Sequence, residues 1–271
     1  MEQDTHSYLL DKNLPLSVLL GRADERELCR LANLITDNGK GRLMLDKNLK
    51  ELIISFQGQK KLHELSDTLA KEICAFGSNS AMSIIKNGEG DKYHDILKSV
   101  AKILGCNTKK TTDFYSLERS ILSSLIYKAI KGKSNDELFV ELKCDNSEST
   151  SLIAESILNT SMDNREHLIE TILDTFDIEL LTKLVNQILT EKYILMLCTG
   201  IGPTSKVTTA LGLAARFNPL AAVVSVAAGA YSLSGPAFRV VIPAVVQIAL
   251  IRYHQIAQET HQFCTELESC L

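Results

Sequence analysis

Four places in this chain hold side chains whose types could do chemistry. His254, His261 and Cys264 offer two imidazoles and a thiol, a donor set suited to zinc. On one helix, however, seven residues of rise put the two imidazoles about 10 Å apart, too far to share an ion. A solvated or partner-facing helix end is the expectation there. Tyr93, His94 and Asp95 are proton-transfer types, but neighbouring helix positions point in different directions, so surface residues are expected. Asn87-Gly88-Glu89-Gly90-Asp91 has the paired glycines of a phosphate-cradling loop. It lacks a third glycine and a flanking strand, and reads as a helix-to-helix turn capped by Asp91. The fourth is Arg239, an isolated cation in an aliphatic run.

No P-loop, HExxH, EF-hand or nucleophile-elbow pattern occurs. None of the cysteines combines a neighbouring histidine with a basic setting that would lower its pKa. The expectation is therefore no catalytic set, no metal site and no cofactor: a protein that is not an enzyme.

The elements that must position these residues are helices. Apolar residues recur at three- and four-residue spacing through most of the chain, with almost no alternating strand pattern. Asp24 starts one helix, with Glu27 as its capping-box partner, and Asp37 to Gly41 ends it. Asp46 caps the next, whose face is Leu49, Leu52, Ile53 and Phe56. Leu62 to Phe76 marks another, stopped at Gly77. Asp91 opens a helix carrying Ile96, Leu97, Val100 and Leu104 and closed by Gly105; the next carries Leu117, Ile121, Leu125 and Ile126. Ser134 and Glu137 suggest a further capping box, and residues 152–158 and 163–176 continue the pattern. The prediction is all-α, about ten helices, with an acidic helical body packed around an apolar, Gly/Ala-rich C-terminal helical hairpin.

Charge divides the chain more sharply than any motif. Residues 1–191 hold 24 Lys plus Arg against 30 Asp plus Glu; residues 192–258 hold five basic side chains and no acid. Four of the five prolines lie in that acid-free block. The parts read as an N-terminal helical body (1–144), a helical continuation (151–192), the apolar hairpin block (193–258) and a polar tail (259–271). Basic residues in the body are mixed with acids, so no nucleic-acid groove is indicated. Seven singly spaced cysteines and a polar start at Met1 to Ser7 point to a reducing cytoplasm.

Glycine and proline cut the block into short pieces. Pro219 to Leu233 is 15 residues, about 22 Å as a helix. A bilayer core needs about 20 apolar residues, so this piece reads as a core helix rather than a clean span. Its small residues at every fourth position, Ala221, Ser225 and Gly229, allow close approach of another helix. Pro236 suits the first position of the last helix, and Pro243 should kink it. That helix carries a narrow polar stripe of Arg239, Pro243 and Gln247, then Arg252 and Gln255. A buried guanidinium needs a partner, and no acid lies within the block, which leaves an acid of the body, the Glu-rich tail, a set of backbone carbonyls or a lipid phosphate; of these, a carboxylate of residues 1–191 is the expected partner of Arg239.

Ser234-Gly235-Pro236-Ala237-Phe238-Arg239 through Pro243, Gln247 and Ala249 resembles the carboxy-terminal motif of the uncharacterised bacterial YaaW family. Phe76-Gly77 with Ser80, then Gly88, Gly90 and Tyr93, looks like a second motif of that family. Asp37-Asn38 through Lys40 to Leu43 looks like a third. The resemblance implies a mostly helical protein without an assigned activity. The family has been remotely likened to the ubiquinol–cytochrome c chaperone domain. These motif positions shape and pack helices and include no catalytic set.

The expected function is a non-catalytic helical interaction protein, chaperone-like in style. Its partner would be another protein or a second copy, met through residues 219–252. The alternative is a membrane-active effector whose hairpin (residues 203–252) inserts into or lies on a bilayer. The expected location is cytoplasmic, peripheral to the inner membrane in the alternative. The residues expected to carry structure or partner contact are Gly77, Gly88, Gly90, Tyr93, Ser225, Gly229, Gly235, Arg239, Pro243 and Gln247.

Overall fold

The structure, a computed structural model, describes residues 11–41, 45–81, 92–106, 113–130, 134, 165–174, 178–188 and 238–270. Among these the chain is all-α, with nine α-helices and one 3-10 turn. They are α1 (Leu16–Gly21), α2 (Glu25–Thr36), α3 (Lys47–Gly58), α4 (Ser66–Ala81) and α5 (Lys92–Ile103). The series continues with α6 (Phe114–Ile130), α7 (Arg165–Asp174), α8 (Ile178–Ile188) and α9 (Phe238–Ser269). The 3-10 turn, Leu62–Leu65, leads into α4.

Local signals set several of the ends. Asp24 caps α2, and its backbone N–H donates to Glu27 Oε2 at 3.1 Å, as a capping box requires. The Asp46 side chain accepts from the Leu49 N–H at 3.1 Å at the start of α3. The chain leaves α2 through left-handed Asp37 and Asn38, residues that tolerate this region better than most. Gly105, also left-handed, follows α5.

Two expectations for these elements need correction. Gly77 does not stop its helix: α4 runs through it to Ala81. A Cβ built on Gly77 would run into the Ile96 side chain, so this glycine is there to let α4 and α5 approach closely. Leu52 is not on the buried face of α3; it is exposed, and Ile53 is the residue buried there.

α9 is the axis of the fold. It packs against α1, α2, α4, α5, α6 and α8. Every residue from Val240 to Tyr253 is buried, on all sides of the helix. A helix that is apolar all round belongs in a core, and the neighbouring helices supply that core. Leu19 and Leu20 of α1 and Leu28, Leu31 and Ile35 of α2 contribute to it. So do Leu97 and Val100 of α5, Ile121 and Leu125 of α6, and Leu181 and Val185 of α8. Pro243 lies inside α9 without ending it, although its missing N–H withdraws one helical bond. α9 crosses the composition boundary at Gln258 without a break, and from His261 onward it is exposed.

Candidate functional site: polar contacts on the C-terminal helix

A helix buried on all sides can carry a charge only where its neighbours answer it. Arg252 does so at the centre of the molecule, 1% exposed, against Glu118 of α6, which is 0% exposed. Arg252 Nε donates to Glu118 Oε2 at 2.6 Å and Nη2 to Oε1 at 3.2 Å, a two-bond fork. Nη1 donates to the carbonyls of Lys12 and Leu14 at 3.2 and 3.0 Å. The Tyr93 hydroxyl of α5 donates to Glu118 Oε1 at 2.8 Å. The guanidinium also lies 5.6 Å from the centre of the Phe114 ring. One residue of α9 is thereby tied to α5, α6 and the segment entering α1.

Burial raises the Glu118 carboxyl above its ordinary value; Arg252 and the Tyr93 hydroxyl oppose that rise. Desolvation is the largest single influence on the Arg252 guanidinium and lowers its pKa, but the Glu118 charge and hydrogen bonds, with Tyr93 and Asp11, together outweigh it and raise the value. Burial is also the largest cause of the upward shift at Tyr93. Gln255 adds a neutral contact, its amide donating to the Leu19 carbonyl at 2.8 Å.

On another face of α9, His254 meets the start of α2. His254 Nδ1 lies 2.9 Å from Glu27 Oε1 and 3.8 Å from Asp24 Oδ2. His254 Nε2 lies 2.9 Å from the Gln258 amide nitrogen. Burial pushes the Glu27 carboxyl up, and the contact with His254 pulls it back down. Asp24, Glu27 and His254 line one wall of an open cleft of about 800 Å³, with Arg26, Arg30, Ile178, Glu179, Thr182 and Asn186 around it.

A third cluster joins α6 to α7. Arg119 pairs with Glu170 at 2.6 Å and Asp174 at 2.9 Å, while the Ser123 hydroxyl donates to Glu170 at 2.8 Å.

Over 249 residues the chain is 26% identical to the UPF0174 protein YaaW of Escherichia coli K12, covering 91% of this chain and 95% of that protein. Over 189 residues it is 28% identical to a UPF0174 protein of Helicobacter pylori strain J99, covering 69% and 70% respectively. The chain resembles the YaaW proteins. No family model matches it, and no solved structure does.

The YaaW-like motif positions fall unevenly on the described residues. Gly77 is a contact point between α4 and α5. Tyr93 is buried and bonded to Glu118, not on the surface as expected for the Tyr93-His94-Asp95 run. Gln247 and Pro243 are buried within α9. Gly88, Gly90, Ser225, Gly229 and Gly235 lie outside the described residues, as does the side chain of Arg239. The ion pair expected of Arg239 is therefore not among the described contacts; Arg252 makes one of that kind.

His254, His261 and Cys264 are not brought together: His261 and Cys264 are exposed, while His254 turns to Glu27. The sequence reading missed Glu118. Its signal was present, since Glu118 shares a helical stripe with Ile121, Leu122 and Leu125, all buried. An acid on such a stripe calls for a buried partner.

Proposed function

We propose that this chain is a non-catalytic helical interaction protein whose body keeps an apolar helix covered, in the manner of a chaperone. The observation that carries the reading is the unbroken burial of Val240 to Tyr253, fastened by the Arg252–Glu118 fork. The ionisable groups nearest the centre are spent on that fastening, which favours a binding role over a catalytic one. The exposed end of α9 offers a first point of contact. Phe263 and Leu267, one helical turn apart, are 47% and 50% exposed. A partner reaching residues 240–252 would have to displace the body helices; residues 219–237 lie outside the described ones.

One observation favours a membrane-active reading as the alternative. From Val240 onward α9 is long and apolar enough to cross a bilayer, and 89% of its most apolar window is buried within the chain. The acid-free sequence continues back from it to Lys192. A photoreactive amino acid at position 263, crosslinked in cells, separates the readings when combined with flotation on neutral and anionic liposomes. A discrete protein adduct, with a soluble protein that does not float, is the expected result. Flotation with vesicles and no protein adduct would replace the interaction reading with the membrane one.

A further inference from the structure

The geometry points to Asp24, Glu27 and His254 as a site for a divalent first-row transition metal. One ligand atom from each residue lies within 4.8 Å of the other two; Asp24 and Glu27 share the start of α2, and His254 comes from a distant part of the chain. For metal–ligand bonds of about 2.0–2.2 Å, neighbouring ligands sit roughly 2.9–3.6 Å apart. The His254–Glu27 edge, at 2.9 Å, already has that length, and the His254–Asp24 edge, at 3.8 Å, is slightly long. The Asp24 side chain is 62% exposed, so a small rotation about its own bonds closes the difference.

A hydrogen bond alone accounts for only part of this arrangement. One imidazole N–H can serve one carboxylate at good geometry, yet two face His254 Nδ1. Two carboxylates this close repel each other, and a dication between them and the imidazole relieves that repulsion. The capping box occupies Glu27 Oε2 with the Asp24 N–H, which leaves Oε1 turned toward His254. Glu27 and His254 are thus placed before any ion arrives, and only Asp24 has to turn.

The surroundings supply the rest of a coordination site. A metal-bound histidine usually donates its other ring N–H to an acceptor that fixes the ring. Gln258 sits 2.9 Å from His254 Nε2, and a half-turn of its amide places the carbonyl oxygen to accept that proton. The remaining coordination positions face the cleft, open to water or to a ligand from solution. An imidazole with two carboxylates suits Zn2+, Mn2+, Fe2+ or Co2+; Mg2+ and Ca2+ favour all-oxygen sets. A bound ion would join the N-terminus of α2 to α9 across 227 residues of sequence. It would act beside the Arg252 fork to hold α9 in place.

The test uses the full chain, stripped with chelator and titrated with Zn2+ and with Co2+ as a spectroscopic probe. The expected result is one equivalent bound, a raised Tm, and visible cobalt bands without sulfur-to-cobalt charge transfer. Asp24→Asn, which keeps a good helix cap, and His254→Asn should each weaken binding by at least about tenfold and remove the Tm response. Gln258→Leu should weaken it by roughly 10- to 100-fold if that residue orients the imidazole. A double variant with serine at Cys264 and Cys270 should bind as the wild type does. Circular dichroism of each metal-free variant separates lost ligation from lost folding. The site is overturned if the stripped protein binds no metal, or if both Asp24→Asn and His254→Asn bind like the wild type. Thiolate charge transfer that disappears with the exposed cysteines would overturn it too.

Discussion

Arg252 and His254 are two residues apart on α9 and make opposite kinds of contact. Arg252 points into the centre and meets an acid as fully buried as itself. His254 points toward α2 and meets Glu27 and Asp24 at the wall of an open cleft. Burial makes the first pair costly to form and costlier to break, because a surviving partner cannot return to water. The second cluster is only partly buried, with Asp24 62% exposed, which makes that arm cheap to break and free to exchange partners. The inner contact therefore fits a fastening, and the outer one fits a binding place.

The largest effect should come from breaking the inner pair. Glu118→Ala strands the Arg252 guanidinium and should cost about 3–5 kcal/mol in urea unfolding. Glu118→Leu combined with Arg252→Met should recover most of that loss, as a double-mutant cycle would show. If Glu118→Ala costs under about 1 kcal/mol, the pair is not a fastening.

The pH dependence of that pair has a definite sign. Folding raises the Glu118 pKa above its ordinary 4.5, so the native state holds this proton more tightly than the unfolded state. The stability linked to Glu118 is then fully present below about pH 4.5 and is lost as pH rises through the raised native value. On acidification from pH 7, wild type should therefore gain stability relative to Glu118→Gln. Denaturant midpoints of the two proteins at several pH values would show a constant difference if the shift were absent.

At the outer cluster the effect is smaller. Asp24→Ala removes the cap of α2 and should cost about 1 kcal/mol, whereas Asp24→Asn should cost only a few tenths. Equal losses for the two would mean that the Asp24 charge matters more than the cap. Smallest is the exposed pair Arg22–Glu259, at 3.7 Å between side chains 56% and 42% exposed. Arg22→Ala should stay within about 0.5 kcal/mol, and added salt should shrink even that difference.

Helix ends were the most legible part of this fold. Asp24 with Glu27, Asp46, and the turn at Gly105 each act within a few residues, so their meaning is written locally. The burial of α9 was legible as well, because twelve residues from Val240 to Ile251 include only Pro243 and Gln247 as breaks in the aliphatic run. Gly77 was misread for a physical reason: a glycine that ends a helix and one that admits a neighbouring helix look alike in sequence. Only the Ile96 side chain, placed against it by the α4–α5 packing, tells them apart.

The sequence by itself determined that the chain is helical, that its C-terminal helix needs cover, and that a cation on that helix needs a partner from outside its own acid-free block. The tertiary structure decided which acid. Arg252 and Glu118 are 134 residues apart, and His254 and Glu27 are 227 apart. Helical periodicity reports which face of one element is apolar; it holds no record of which distant element will cover that face. The pairing is set when packed helices exclude water and every buried charge must find its counterpart among the neighbours.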